Sequence, residues 1–218
     1  MEEYKDLRLT VELFKKVLDE KEFKNQSAGI VLQSYLPDSF LMQQELTEWA
    51  MKRLEGGGAL IKIRIVKGAN LAMEQVEASL KGWPQAPYPQ KHDVDANFKR
   101  MVCYGMQKKH AEAVFLGIAS HNLFDVAYAV LLAAENDVDD CICFEMLEGM
   151  ADHTRRVIQA LTGDMLLYCP VASREEFQHA LGVLLTEMQL QPAAQYRLIG
   201  VGVYQLGPRE SDSQLSFW

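Results

Sequence analysis

Short apolar runs alternate with stretches of helical period along most of this chain, and that alternation restricts its fold more than any other feature. Between 10 and 18 the residues Val11, Phe14, Val17 and Leu18 recur at helical spacing among lysines and glutamates, which predicts an amphipathic helix. The apolar run 28–35 reads as a buried strand, stopped by Pro37 and by Asp38 acting as a helix cap. A helix is expected over 39–54, ending at Gly56, Gly57 and Gly58. A second strand, rich in β-branched residues, spans 59–66, with Lys67, Gly68 and Ala69 as the loop at its carboxyl end. Polar and helical stretches fill 70–109. Strands at 114–119, 141–146 and 165–168 then alternate with helices at 123–135 and 153–161.

Strands that alternate with helices, apolar and without a polar face, imply a parallel sheet covered by helices. A doubly wound sheet and a (β/α) barrel both satisfy this pattern. Polar or glycine-bearing residues gather where strands hand over to loops, at 33–35, 67–69, 120–122, 145–149 and 168–170, and chemistry in a barrel sits at that face. No G-x-G-x-x-G follows the first strand, which counts against a nicotinamide-type dinucleotide fold. The predicted fold class is α/β: a partial (β/α)8 TIM-type barrel, about five of its eight strand–helix units, with a short C-terminal strand and tail.

Composition narrows the function classes. A formal net charge of −8 and a pI near 5.2 lack the basic surplus that phosphate neutralisation requires, so direct nucleic-acid binding is not expected. No apolar run is long enough to span a bilayer and five of the first ten residues are charged, which makes a cytoplasmic location the default. Cys103, Cys141, Cys143 and Cys169 form no C-x-x-C pair and are expected to be reduced, buried thiols. The histidines show no H-E-x-x-H spacing, so no metal site is expected.

Several motifs carry a specific resemblance. These are Lys62-Ile63-Arg64-Ile65-Val66-Lys67-Gly68-Ala69-Asn70, Gly82-Trp83-Pro84-Gln85-Ala86-Pro87-Tyr88, Ala119-Ser120-His121-Asn122, Phe144-Glu145-Met146-Leu147-Glu148-Gly149-Met150 and Leu167-Tyr168-Cys169-Pro170-Val171. In this order they resemble proline dehydrogenases, most of all the proline dehydrogenase domain of bacterial bifunctional proline-utilisation flavoproteins, over residues 1–190. The resemblance implies an FAD-binding barrel that oxidises L-proline to pyrroline-5-carboxylate by hydride transfer to the flavin and passes electrons to a quinone at the inner membrane. It further implies that Gln33 bonds the flavin ring and that Arg64 sits near its reactive edge. Val66, Lys67, Gly68 and Ala69 would line ring and phosphates, and His121 and Asn122 would hold the adenosine half. Glu145 and Leu147 would support the next strand end, and Tyr168 would face proline. The catalytic residues implied are Arg64 and Tyr168.

The same comparison implies an incomplete catalytic set. A lysine and an aspartate of the family would lie upstream of Met1, and the paired arginines that grip the proline carboxylate would fall where this chain reads Val183-Leu184-Leu185-Thr186-Glu187. Asn70 stands where an aromatic commonly follows Gly-Ala.

Plainer roles remain open for most of these residues. Arg64 suits a structural ion pair as well as a ligand, Gln33 a loop cap, and His121 a satisfied core histidine. Glu145 and Glu148 suit solvated or capping loop carboxylates, Arg155 and Arg156 a solvated helix face, and Met146 and Met150 packing. Residues 191–218 are expected to form a separate strand and flexible tail resembling the end of a bacterial Y-family DNA polymerase. Gln214, Leu215 and Phe217 would there dock a sliding clamp, making the chain a binding module instead of an enzyme. Self-association through unpaired strand edges is a further expectation.

Overall fold

A computed structural model of the chain describes residues 3–147, 150–163 and 165–168. A 3-10 turn at Tyr4–Asp6 leads into α1 (Leu7–Leu18), which starts before the expected Thr10 because Leu7 joins Val11 and Leu18 on the buried stripe. After β1 (Gly29–Gln33) comes α2 (Asp38–Glu55). Asp38 is the first helical residue of α2 and makes no cap; its carboxylate accepts a hydrogen bond from the Tyr4 hydroxyl at 2.8 Å, while Pro37, with φ −52°, opens the helix. Then follow β2 (Ile61–Val66), α3 (Leu71–Lys81), α4 (Lys91–Gly105), the single turn α5 (Lys108–Ala111) and β3 (Val114–Ala119). The remaining described elements are α6 (Leu123–Asn136), β4 (Ile142–Leu147), α7 (Asp152–Thr162) and β5 (Met165–Tyr168).

Strand order decides between the two candidate architectures. The sheet runs β1-β2-β3-β4-β5, and β1 to β4 pair in parallel. A doubly wound sheet must reverse direction at a switch point, whereas strands laid down in one direction keep every crossover on the same face and build a barrel wall. The fold is therefore part of a TIM-type barrel.

The two faces of the sheet differ in chemistry. Ile61, Ile63 and Ile65 of β2 and Val114, Leu116 and Ile118 of β3 are buried, and α2 and α4 pack on that side with Leu46, Ala50, Phe98, Met101 and Val102. This is the hydrophobic core. Alternate residues project to the inner face, where Lys62, Arg64 and Val66 are half-buried. The expectation of strands without a polar face is thus wrong for β2, whose inner half is cationic.

Arg53 of α2 closes the opposite end of this layer. Its guanidinium donates to the carbonyls of Ala59 at 3.1 Å, Phe23 at 2.7 Å, Lys24 at 2.8 Å and Gln26 at 3.2 Å, and also to that of Leu18. One side chain thereby satisfies the loops that enter β1 and β2.

Two other expectations fail. Cys103 is exposed and Cys141 and Cys143 are half-buried, so none of the three is a core thiol; Cys141 ends a 3-10 turn and only Cys143 lies in β4. Met146 is buried, but Met150 is exposed and packs no core. The chain divides into two compact units, 1–146 with 150–166, and 147–149 with 167–218. Of the second, only Leu147, Leu167 and Tyr168 are described. Cys169, Glu148, the 183–187 stretch, the boundary at 190 and the clamp-docking residues Gln214, Leu215 and Phe217 lie outside the described residues. Among the described residues no helix is long and apolar enough to cross a membrane.

Candidate functional site

Parallel register brings residues far apart in sequence into rows across the inner face. Gln33 pairs with Val66, Val66 with Ala119, and Ala119 with Glu145, so one row near the carboxyl ends of β1 to β4 holds four residues. The row beneath it runs Val31, Arg64, Gly117 and Cys143. Gln33, Arg64, Val66 and Glu145, four of the expected site residues, are thus neighbours on one surface.

Glu145 organises this surface. Its side chain is fully buried, and its carboxylate reaches from β4 across β3 to both cations of β2. Oε1 accepts from Lys62 Nζ at 2.6 Å and lies 3.5 Å from the Cys143 Sγ, while Oε2 accepts from Arg64 Nε. The crossing is possible because residue 117 is glycine: a Cβ there would overlap Oε1 and stand 2.9 Å from the Lys62 Cε. Desolvation opposes the charge of Glu145, but the Lys62 hydrogen bond and the charges of Lys62 and Arg64 outweigh it and hold the carboxyl below its ordinary range. Lys62 mirrors this, desolvated yet held above its usual value by Glu145, and burial raises the Cys143 thiol. Glu145 is therefore no solvated loop carboxylate, and the ion pair considered for Arg64 exists.

The loops beyond the row follow a second network. Lys67 Nζ contacts Asp125 Oδ2 at 2.7 Å and Asp95 Oδ1 at 2.6 Å, and the buried Ser120 hydroxyl donates to Asp125 at 2.9 Å. Desolvation works against the Lys67 ammonium, and the two carboxylates more than compensate for it. Gly68, with φ +122°, passes under the ring of Tyr35, where any Cβ would collide with the ring. Ala69 is exposed beside it. Asn122 caps α6, its Oδ1 accepting from the Phe124 N–H at 2.9 Å, and its own N–H donates to Ser120. His121 is half-buried, and burial lowers its pKa. Leu147 is exposed at the end of β4, and Tyr168 closes β5.

Lys62, Gly117, Cys143, Asp95 and Asp125 were not foreseen as site residues. Alternation in Ile61-Lys62-Ile63-Arg64-Ile65 places Lys62 on the face of Arg64 and could have found it. The role of Gly117 depends on a register that no local pattern reveals. Among the described residues no group of three or more His, Cys, Asp or Glu side chains is placed to hold a metal ion.

Residues 1–182 match the proline dehydrogenase family. Proline utilization A from Corynebacterium freiburgense is similar over 87% of this chain and 20% of its own, at 49% identity and a TM-score of 0.77. The protein of the same name from Bdellovibrio bacteriovorus, inactivated by N-propargylglycine, is similar over 88% and 20%, at 34% identity and a TM-score of 0.73. That from Bradyrhizobium japonicum, at 20% identity and a TM-score of 0.69 over 88% and 19%, shares the fold. The chain spans about a fifth of the length of these proteins.

Proposed function

The chain belongs to the proline dehydrogenase family, and from that premise we propose that β1 to β4 carry part of a flavin site for the oxidation of L-proline to pyrroline-5-carboxylate. The observation that supports this most directly is the inner-face surface of Gln33, Arg64, Val66, Gly117, Ala119 and Glu145.

These residues fit FAD by their chemistry. Gln33 and Arg64 bring amide and guanidinium donors to one surface, and Ala119 is the smallest side chain in the row of Gln33, as a flat ring system needs. Two cations against one carboxylate leave Lys62, Arg64 and Glu145 with a net charge of +1, which favours an electron-rich ligand. When bound, FAD supplies the two-electron acceptor. Arg64 presents positive charge to it, Gln33 orients it, and the exposed backbone at Gly68 and Ala69 lies where phosphates can approach. Leu147 and Tyr168 belong to the proposal as strand-end residues, Tyr168 on the proline side. His121 and Asn122 belong to its adenosine end, Asn122 through its side-chain NH2, because its Oδ1 caps α6 and its backbone N–H donates to Ser120. Lys67 contributes through its backbone, since two carboxylates hold its ammonium. A quinone is the proposed electron acceptor.

The test is the visible absorption spectrum of the purified chain after incubation with FAD and removal of excess, followed by L-proline without oxygen. Retained flavin bands are expected, and bleaching with proline would mean that the residues missing from the catalytic set are supplied or replaced. A chain that retains no flavin refutes the proposal, and retained flavin that proline does not bleach restricts it to cofactor binding.

A further inference from the structure

We infer that Glu145 is a positioning residue, which fixes the plane of the Arg64 guanidinium beside Lys62 on the inner face so that it meets the ligand of the proposed flavin site. The inference rests on that proposed function and goes beyond it, since Glu145 acts through Arg64 and need not touch the ligand.

Three features carry it. First, a fully buried carboxylate is costly unless its lone pairs are filled, and Glu145 fills them from β2, two strands away. Second, it grips Arg64 through Nε, the guanidinium nitrogen nearest the chain, which restrains rotation of the whole planar fork. Third, Lys62 holds the same carboxylate at 2.6 Å, so that Glu145 is anchored from a second side while it grips Arg64. Lys62 and Glu145 form the support, and Arg64 is what they support.

The experiment separates orientation from charge in the full-length chain. FAD affinity is measured by flavin fluorescence quenching, and the band shape of the bound flavin is recorded alongside, for wild type, Glu145→Gln and the double variant Lys62→Met with Glu145→Gln. The double variant restores the net charge of +1 but lacks the charged contact of Glu145 to Arg64. Both variants are expected to bind FAD about tenfold more weakly than wild type, which corresponds to about 1.4 kcal/mol, with altered flavin bands. Wild-type affinity and bands in Glu145→Gln overturn the inference. Recovery in the double variant also overturns it, because charge balance alone would then explain the loss. If Glu145→Gln does not fold, Glu145→Asp decides: it keeps the charge but is too short to span Gly117 to both cations, and wild-type affinity there is again a refutation. A wild-type chain that binds no FAD removes the proposed function and this inference together, whereas failure of the variants alone leaves the proposed function standing.

Discussion

Gly117→Ala is the sharpest probe of the inner face. Gly117 has ordinary strand backbone, so alanine meets no conformational penalty and on chain entropy alone would stabilise by roughly 0.5–1 kcal/mol. Its Cβ nevertheless overlaps Glu145 Oε1 and approaches Lys62 Cε to 2.9 Å. Both groups end flexible side chains and can swing away, so the cost is the loss of ion contacts, not rigid strain. Each charge-assisted hydrogen bond contributes about 1.5–3 kcal/mol. Losing one of the two to Glu145, offset by the entropic gain, leaves a net destabilisation of roughly 1–2 kcal/mol. For a chain of this size that lowers Tm by about 2–8 °C, measured by circular dichroism. In a Glu145→Ala background the methyl group has room, and the same substitution should be neutral or stabilising. A Gly117→Ala chain that melts at or above wild type refutes the reasoning, as does an equal loss in both backgrounds.

Four further outcomes follow from the same contacts. Glu145 titrates below its ordinary value of 4.5 when folded, so its stabilisation is present above that pH and lost as pH falls through the lowered pKa; wild type should therefore lose more stability on acidification than Glu145→Gln in melts taken below pH 4.5. Lys67→Met leaves the buried Asp125 without its cation and should cost about 3 kcal/mol in urea unfolding with no cofactor present; unchanged stability would mean that the ammonium is spare for phosphate. Arg53→Lys should destabilise by about 2 kcal/mol, because an ammonium cannot reproduce a fork that serves five carbonyls; a wild-type melt would show the fork to be dispensable. Among the described residues β1 pairs on one side only, and the chain should self-associate in light scattering, which a sharp monomer peak would contradict.

Much of this architecture was legible because helix and strand periods differ. The runs at 114–119 and 165–168 emerge as β3 and β5 with the expected bounds: the apolar residues of the first stop at Ser120, and Met165-Leu166-Leu167-Tyr168 ends just before the Cys169-Pro170 pair in the sequence. Asp38 misled because a residue after proline resembles a cap, whereas Pro37 itself takes the helical conformation. The stretch 70–109 hid three helices because its polar character blurred the breaks. Gln33, Arg64, Val66 and Glu145 were foreseen as site residues through their resemblance to a family, and the register brings them together. The commitments of Lys67 to Asp95 and Asp125, and of Asn122 to the α6 amide, were invisible, because they depend on side chains that meet only when strands, loops and helices have docked.

The reach of Glu145 over Gly117 also has a place in time. Arg64 and Glu145 stand 81 residues apart, and their contact needs β3 already lying between β2 and β4. Closing so long a loop is entropically costly, and the cluster gives no return until that cost has been met by the apolar contacts of the opposite face. The cluster is accordingly a late event in folding. Substitution of Glu145 should speed unfolding and leave the folding rate almost unchanged, with a φ-value near zero, whereas truncation of Ile63 or Leu116 should slow folding itself.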